Sequence, residues 1–197
     1  MTGWETSGTV AIDVRRERFL AHLDDVTDGV EPRILQAESA DPSLPGVKAI
    51  IYTDLPEAGM QTTFTYGLSC VGHEDWSSGR PELCLSVESD DPAWGLAAAT
   101  VGERLRGRCP FTYGDVITFG ERISEESAMT GFLVFAPAVL DAQDATGIDL
   151  GDAFPVTIQG LYPIYESELD FIDERGLETF WKSFDFDFYD VRRPAVV

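Results

Sequence analysis

The chain has 197 residues, 35 of them acidic and 14 basic, for a formal net charge of −21. That length accommodates one ordinary domain with a real hydrophobic core, and the charge makes nucleic acid and anionic membrane poor partners because both repel such a field. There is no long apolar run, and Met1 to Val10 carries neither a basic region nor an apolar segment, so neither secretion nor membrane spanning is expected and the protein reads as cytoplasmic.

Ile12 to Leu23 carries Ile12, Phe19, Leu20 and Leu23 among charged residues, which predicts an N-terminal helix ending near Asp24 and Asp25. A short strand, Arg33 to Ala37, and a stronger one, Val47 to Thr53, flank the turn-rich segment Pro42 to Gly46. Gln61 to Ser69 alternates Phe64, Tyr66 and Leu68 with Thr63, Thr65 and Gly67, a strand expected to bury one face. Val71 to Pro81 reads as loop and Leu83 to Val87 as strand. Asp91-Pro92 opens a helix whose Trp94, Ala97, Ala98, Val101 and Leu105 share one face, with alanines that permit close approach to a sheet. Arg104, Arg106 and Arg108 crowd its C-terminus, where they complement the helix dipole; an anion site is the functional alternative. Asp115 to Phe119 and Gly131 to Ala136 are further strands, joined by an acidic segment holding Ser124, Glu125 and Glu126.

Phe154 to Leu161 alternates Phe154, Val156 and Ile158 with polar residues, a strand that Gly160 and Pro163 are expected to end. From Tyr165 a short amphipathic helix follows, with Leu169 and Ile172 inward and acids in its first turn. Gly176 caps it, and Leu177, Phe180, Trp181 and Phe184 restart the helical pattern at once. Strands and helices without strict alternation predict an α+β domain, a mixed and largely antiparallel sheet with helices packed on it. The expected division is an N-terminal helical segment over 1–30, the α+β domain over 31–190 and a tail over 191–197.

The three cysteines, Cys70, Cys84 and Cys109, are odd in number and widely spaced, as reduced thiols are. Cys70 and His73 with a further cysteine would be the beginnings of a metal site, but a second ligand pair is lacking, and no cofactor is expected. His22 and His73 are the only histidines, no glycine-rich phosphate loop is present, and no nucleophile elbow stands beside a base, so the chain does not read as an enzyme.

Four segments in order carry a resemblance. They are Gly67-Leu-Ser-Cys70 with a Gly-rich acidic loop and Pro81 to Val87; Trp94 to Ala99, a helix, and Cys109 to Asp115; Gly131 to Pro137; and Gly160 to Phe184. Together they span roughly residues 45 to 185 and resemble the suppressor of fused family, in the size of its single-domain bacterial members. The resemblance implies an α+β fold. It also implies a non-enzymatic role, since animal suppressor of fused is a cytoplasmic regulator that grips an extended peptide, partly by strand addition. Bacterial relatives are proposed to act as immunity proteins against toxins. A stoichiometric inhibitor that captures a basic toxin agrees with the charge. The alternatives are a peptide-binding regulatory scaffold and an unrecognised hydrolase. Proteome-wide acidity gives the same composition, so the charge by itself does not distinguish a partner-specific field from a general one.

Three stretches are candidates for partner binding. His73, Glu74, Asp75 and Trp76 place an aromatic anchor among acids, unless Trp76 folds back on the sheet. Tyr165, Glu166 and Glu168 sit at a loop-to-helix junction, facing a basic partner or serving only as capping chemistry. Phe186 and Phe188 belong to an aromatic-acid alternation, Phe184 to Asp190, that makes an edge strand, a docking strip or a cover for the core.

Overall fold

The computed structural model describes residues 5–77 and 79–197, with side chains in the first helix described from Val14 onward. The segment Met1 to Trp4, the Ile12 side chain and Ser78 therefore lie outside the described residues. The elements in chain order are α1 (Glu5–Val26), β1 (Arg33–Gln36), β2 (Lys48–Thr53), β3 (Gln61–Tyr66), β4 (Arg80–Val87), α2 (Ala93–Leu105), β5 (Val116–Thr118), β6 (Gly131–Phe135), α3 (Ala142–Ala145), β7 (Val156–Ile164), α4 (Glu166–Arg175) and α5 (Leu177–Ser183). The strands form one sheet in the order β1-β2-β3-β4-β7-β6-β5. Every pair is antiparallel except β4 with β7, so the fold is α+β with a mixed, largely antiparallel sheet.

Both faces of the sheet are covered. Leu83, Leu85 and Val87 of β4 turn toward Trp94, Ala98 and Val101 of α2, while Cys84 between them turns to the opposite face, where Phe19 and Leu23 of α1 pack with Ile50 and Phe64. The α2 helix lies close: a Cβ on Gly95 would stand 2.6 Å from Thr63 Oγ1 and 2.8 Å from Ile51 Cδ1. On the face shared with α1, the β5–β6–β7 end of the sheet is covered instead by α4 and α5, through Leu169, Ile172 and Phe180 against Leu133 and Ile164.

This double cover corrects three sequence expectations. β3 is buried at every position, not on one face, and it ends at Tyr66, where Gly67 (φ +127°) turns the chain into a 3-10 turn at Leu68–Cys70. β4 begins at Arg80, so Arg80 and Pro81 belong to a strand and not to the preceding loop. β7 continues through Gly160 and Pro163, and Phe154 lies outside it, 44% exposed. The β4 ladder reaches only to Gly160, so beyond that point Pro163 has no second ladder to interrupt, and it sits opposite Phe132 of β6. α1 runs to Val26, beyond Asp24 and Asp25, and α3 has no counterpart in the sequence reading. The α4–α5 break falls at Gly176, whose φ of +83° suits glycine and whose N–H donates to the Ile172 carbonyl at 2.8 Å.

Candidate functional site

Successive residues of a strand face opposite sides. Phe135 therefore emerges at the end of β6 on the face of Leu133, beside Tyr162 of β7. α5 places Phe180 and Trp181 next to each other in sequence, about 100° apart around the helix. Only one can be central to the buried stripe: Phe180 is fully buried and Trp181 is half-buried at the margin. The chain then leaves α5 in an irregular segment whose alternation is nonetheless kept, with Phe184, Phe186 and Phe188 half-buried and Asp185 and Asp187 exposed.

These residues enclose an apolar groove of about 590 Å³, walled by Phe135, Pro137, Tyr162, Trp181, Phe186 and Phe188. The rings touch in a chain. Centroids lie 5.6 Å apart for Phe135–Trp181, 4.6 Å for Trp181–Phe188, 4.3 Å for Phe186–Phe188 and 5.5 Å for Tyr162–Phe188. Tyr113, 55% exposed, extends the row through its 5.3 Å contact with Phe135. The Tyr162 hydroxyl donates to the Ala136 carbonyl at 2.7 Å and accepts the Ala138 N–H at 3.0 Å, fixing the arch after β6. Burial raises this phenol above its ordinary range, so it stays neutral. The buried Trp181 indole N–H has no hydrogen-bond partner among the described residues.

The groove is held from behind by Glu168. This residue, read from sequence as an acid facing a partner, is fully buried. Its carboxylate accepts two hydrogen bonds from Arg193, at 2.6 and 2.7 Å, and the N–H groups of Val196 and Tyr165, each at 3.1 Å. Four donors satisfy the charge, which is what makes its burial tolerable. Arg193 in turn stacks 4.0 Å over the Phe186 ring and 5.4 Å over Tyr165, whose hydroxyl donates to the Arg193 carbonyl. Glu168, Tyr165 and Phe186 thus form one unit with the tail. Glu166 remains exposed.

His73, Glu74, Asp75 and Trp76 lie elsewhere. Trp76 is folded back, but onto the loop ahead of β5, its indole N–H donating to the Pro110 carbonyl at 2.9 Å. His73 packs on Trp76 at 5.6 Å and accepts the Asp75 N–H at 3.2 Å, leaving Glu74 and Asp75 exposed. The other histidine, His22, is engaged with the Asp144 carbonyl at 2.8 Å. Cys84 is sealed in the core, where burial pushes its thiol up to about 12, and all three cysteines are free thiols. Among the described residues, no three His, Cys, Asp or Glu side chains converge as metal ligands would, and no helix is long and apolar enough to cross a membrane.

Sequence reasoning missed Phe135, Tyr162, Trp181 and Arg193. One signal was available: two adjacent large aromatics on a short helix exceed what a single buried stripe can absorb.

The model of the family described as suppressor of fused protein matches residues 44–194, and the chain belongs to that family. Three solved structures share the fold. A suppressor of fused homologue from Neisseria gonorrhoeae FA 1090 is 18% identical, with TM-score 0.72, 92% of this chain covered and 96% of that one. The chain matched in the Sufu–Fu complex is 14% identical, with TM-score 0.64 and 91% of each chain covered. Drosophila Suppressor of Fused is 15% identical, with TM-score 0.60, 89% of this chain and 49% of that one. The present chain spans about half the Drosophila protein's length. No curated protein sequence matches the chain.

Proposed function

We propose that this member of the suppressor of fused family is a non-enzymatic, cytoplasmic protein-binding domain that seats apolar side chains of a basic partner in the aromatic groove. The observation that carries this reading is the groove itself: four half-buried rings, Phe135, Trp181, Phe186 and Phe188, around one apolar cavity, beside the exposed carboxylates of Asp185 and Asp187. Aromatic residues that stand in such a pocket are the usual energetic anchors of protein interfaces. The net charge of −21 supports a partner of opposite sign, drawn in quickly and at a rate that salt reduces. One structural relative was solved as a complex, Sufu with Fu.

Strand addition is the weaker route here. The edge strands β1 and β5 have four and three residues, so each offers few backbone groups to an incoming strand. A catalytic reading gains nothing from the histidines, both of which hydrogen-bond to neighbours outside the groove.

Stoichiometric capture of a basic toxin, as an immunity protein performs it, is the specific role we propose. It is tested by capture from a lysate of the source cell on the wild-type protein and on a W181A/F188A variant, at low and then high salt. A single basic protein held near one-to-one by wild type and absent from the variant supports the reading; co-expression must then relieve that protein's toxicity. If the captured protein is not toxic, the domain is a regulatory scaffold using the same groove.

A further inference from the structure

Cations are scarce in this chain, yet they are not scattered. Of its 14 lysines and arginines, Arg15, Arg16, Lys48, Arg80 and Arg106 line one cavity of about 360 Å³. It is bounded by α1, the starts of β2 and β4, and the end of α2, and shares no residue with the aromatic groove. Asp152 is the single acid among the described residues lining it.

Three of the charges are held in place. Arg15 is buried; its Nε donates to Asp152 at 2.5 Å and its Nη2 to Ser69 Oγ at 2.7 Å. Ser69 donates onward at 2.5 Å to Glu82, a fully buried carboxylate that also accepts from the Thr65 hydroxyl and the Gly67 and Ser69 N–H groups. Arg106 is pinned by Glu103 at 2.9 Å and the Pro45 carbonyl at 3.0 Å, and Arg80 by the Ser69 carbonyl at 3.3 Å. Such pinning serves structure as well as binding, and it accounts for these three arginines by itself.

Two features are left over. The Lys48 side chain, half-buried at the wall, makes no hydrogen bond or ion pair among the described residues. Tyr66 is 4% exposed, and among the described residues its hydroxyl finds no acceptor; the neighbouring Arg15 guanidinium, 5.5 Å from its ring centre, can only donate to it. A buried donor without an acceptor is costly. An oxyanion in the cavity would supply the acceptor and the missing charge together. Leu44, Pro45 and the Tyr66 ring add apolar wall.

We propose that this cavity binds a small organic oxyanion, a carboxylate or phosphate on a partly apolar body, at a site separate from the protein-binding groove. The cavity is within the size range of small-molecule sites, and preorganised guanidiniums beside an unpaired ammonium are the groups that hold such anions.

The test is calorimetric titration of the full chain with citrate, pyrophosphate and inorganic phosphate at constant ionic strength, with chloride as control. Saturable binding of citrate points to carboxylate and of pyrophosphate or phosphate to phosphate. Either is expected to weaken by about ten-fold or more in K48M and in Y66F, each of which removes one polar contact. K48M leaves the contacts of Arg15 and Glu82 intact, and Y66F keeps the Tyr66 ring and the Arg15 bonds to Asp152 and Ser69, so folding is retained and is checked by thermal melting. As an independent readout, the bound anion should slow alkylation of Cys70, which lines the cavity, in a C109S background. The proposal is overturned if no probe binds beyond the chloride control, if binding is unchanged in both variants, or if Cys70 alkylation ignores a probe that binds.

Discussion

The aromatic groove and the cationic cavity are opposite solutions to recognition, built on the same internal device. The groove uses apolar area: its rings are half-buried and its charges stand outside. The cavity uses charge: five cations from four segments converge on a space of about 360 Å³. Behind each lies a fully buried glutamate that accepts four hydrogen bonds, Glu168 behind the groove and Glu82 behind the cavity. They differ in their donors. Glu168 is matched by a cation, Arg193, whereas Glu82 is met by backbone N–H groups and hydroxyls. In a chain so acidic, some carboxylates act as internal staples, and only the remainder project a field into solvent.

The sharpest way to break this comparison is to remove one staple. E168A leaves Arg193 buried and unpaired, and is expected to cost about 3–5 kcal/mol in urea denaturation. The doubly apolar E168L/R193M should recover much of that loss, because it removes both buried charges together. Next in size is the groove: W181A/F188A should weaken partner binding by about 2–4 kcal/mol, with a smaller loss of stability because both rings are half-buried. E82Q keeps the shape but removes the charge that four donors share, and should cost about 1.5–3 kcal/mol in the same denaturation assay. It should leave the groove's binding intact, since the two regions share no wall.

The last effect is in pH, and it is confined to alkaline solution. The Cys84 thiol is pushed up by burial to about 12, from an ordinary value of 9.0. Because the folded thiol keeps a proton that the unfolded one releases, its contribution to stability is full below pH 9 and is lost as pH rises from 9 to 12. A melting series across that window should fall monotonically, and Cys84 should resist alkylation at pH 8 while the chain is folded.

Much of the fold was legible because β2, β4, β6, α2 and α4 carry their own periodicity. What failed depended on partners distant in the chain. Thr63 and Thr65 look like the wet side of a strand, but α2 covers that side of β3 and Thr65 spends its hydroxyl on Glu82. Gly160 and Pro163 look like strand enders, but β7 changes ladders between its two halves. Glu168 is indistinguishable from a first-turn helix acid until Arg193, 25 residues away, is placed on it. Of the candidate site, Phe186 and Phe188 could be read from their alternation, and the arginines closing α2 hinted at an anion. Trp181 shows only as the second of two adjacent aromatics on α5, and the gathering of Arg15, Lys48 and Arg80 around Arg106 is a product of topology, which no local pattern encodes.

The most direct measurement is a three-way capture experiment with wild type, W181A/F188A and K48M, each challenged with the same lysate at low and high salt and read by quantitative mass spectrometry. One basic protein should be retained near one-to-one by wild type and K48M, weakened by salt and lost from the groove variant. The same protein retained equally by W181A/F188A, with its fold intact, would contradict the assignment of binding to the aromatic groove.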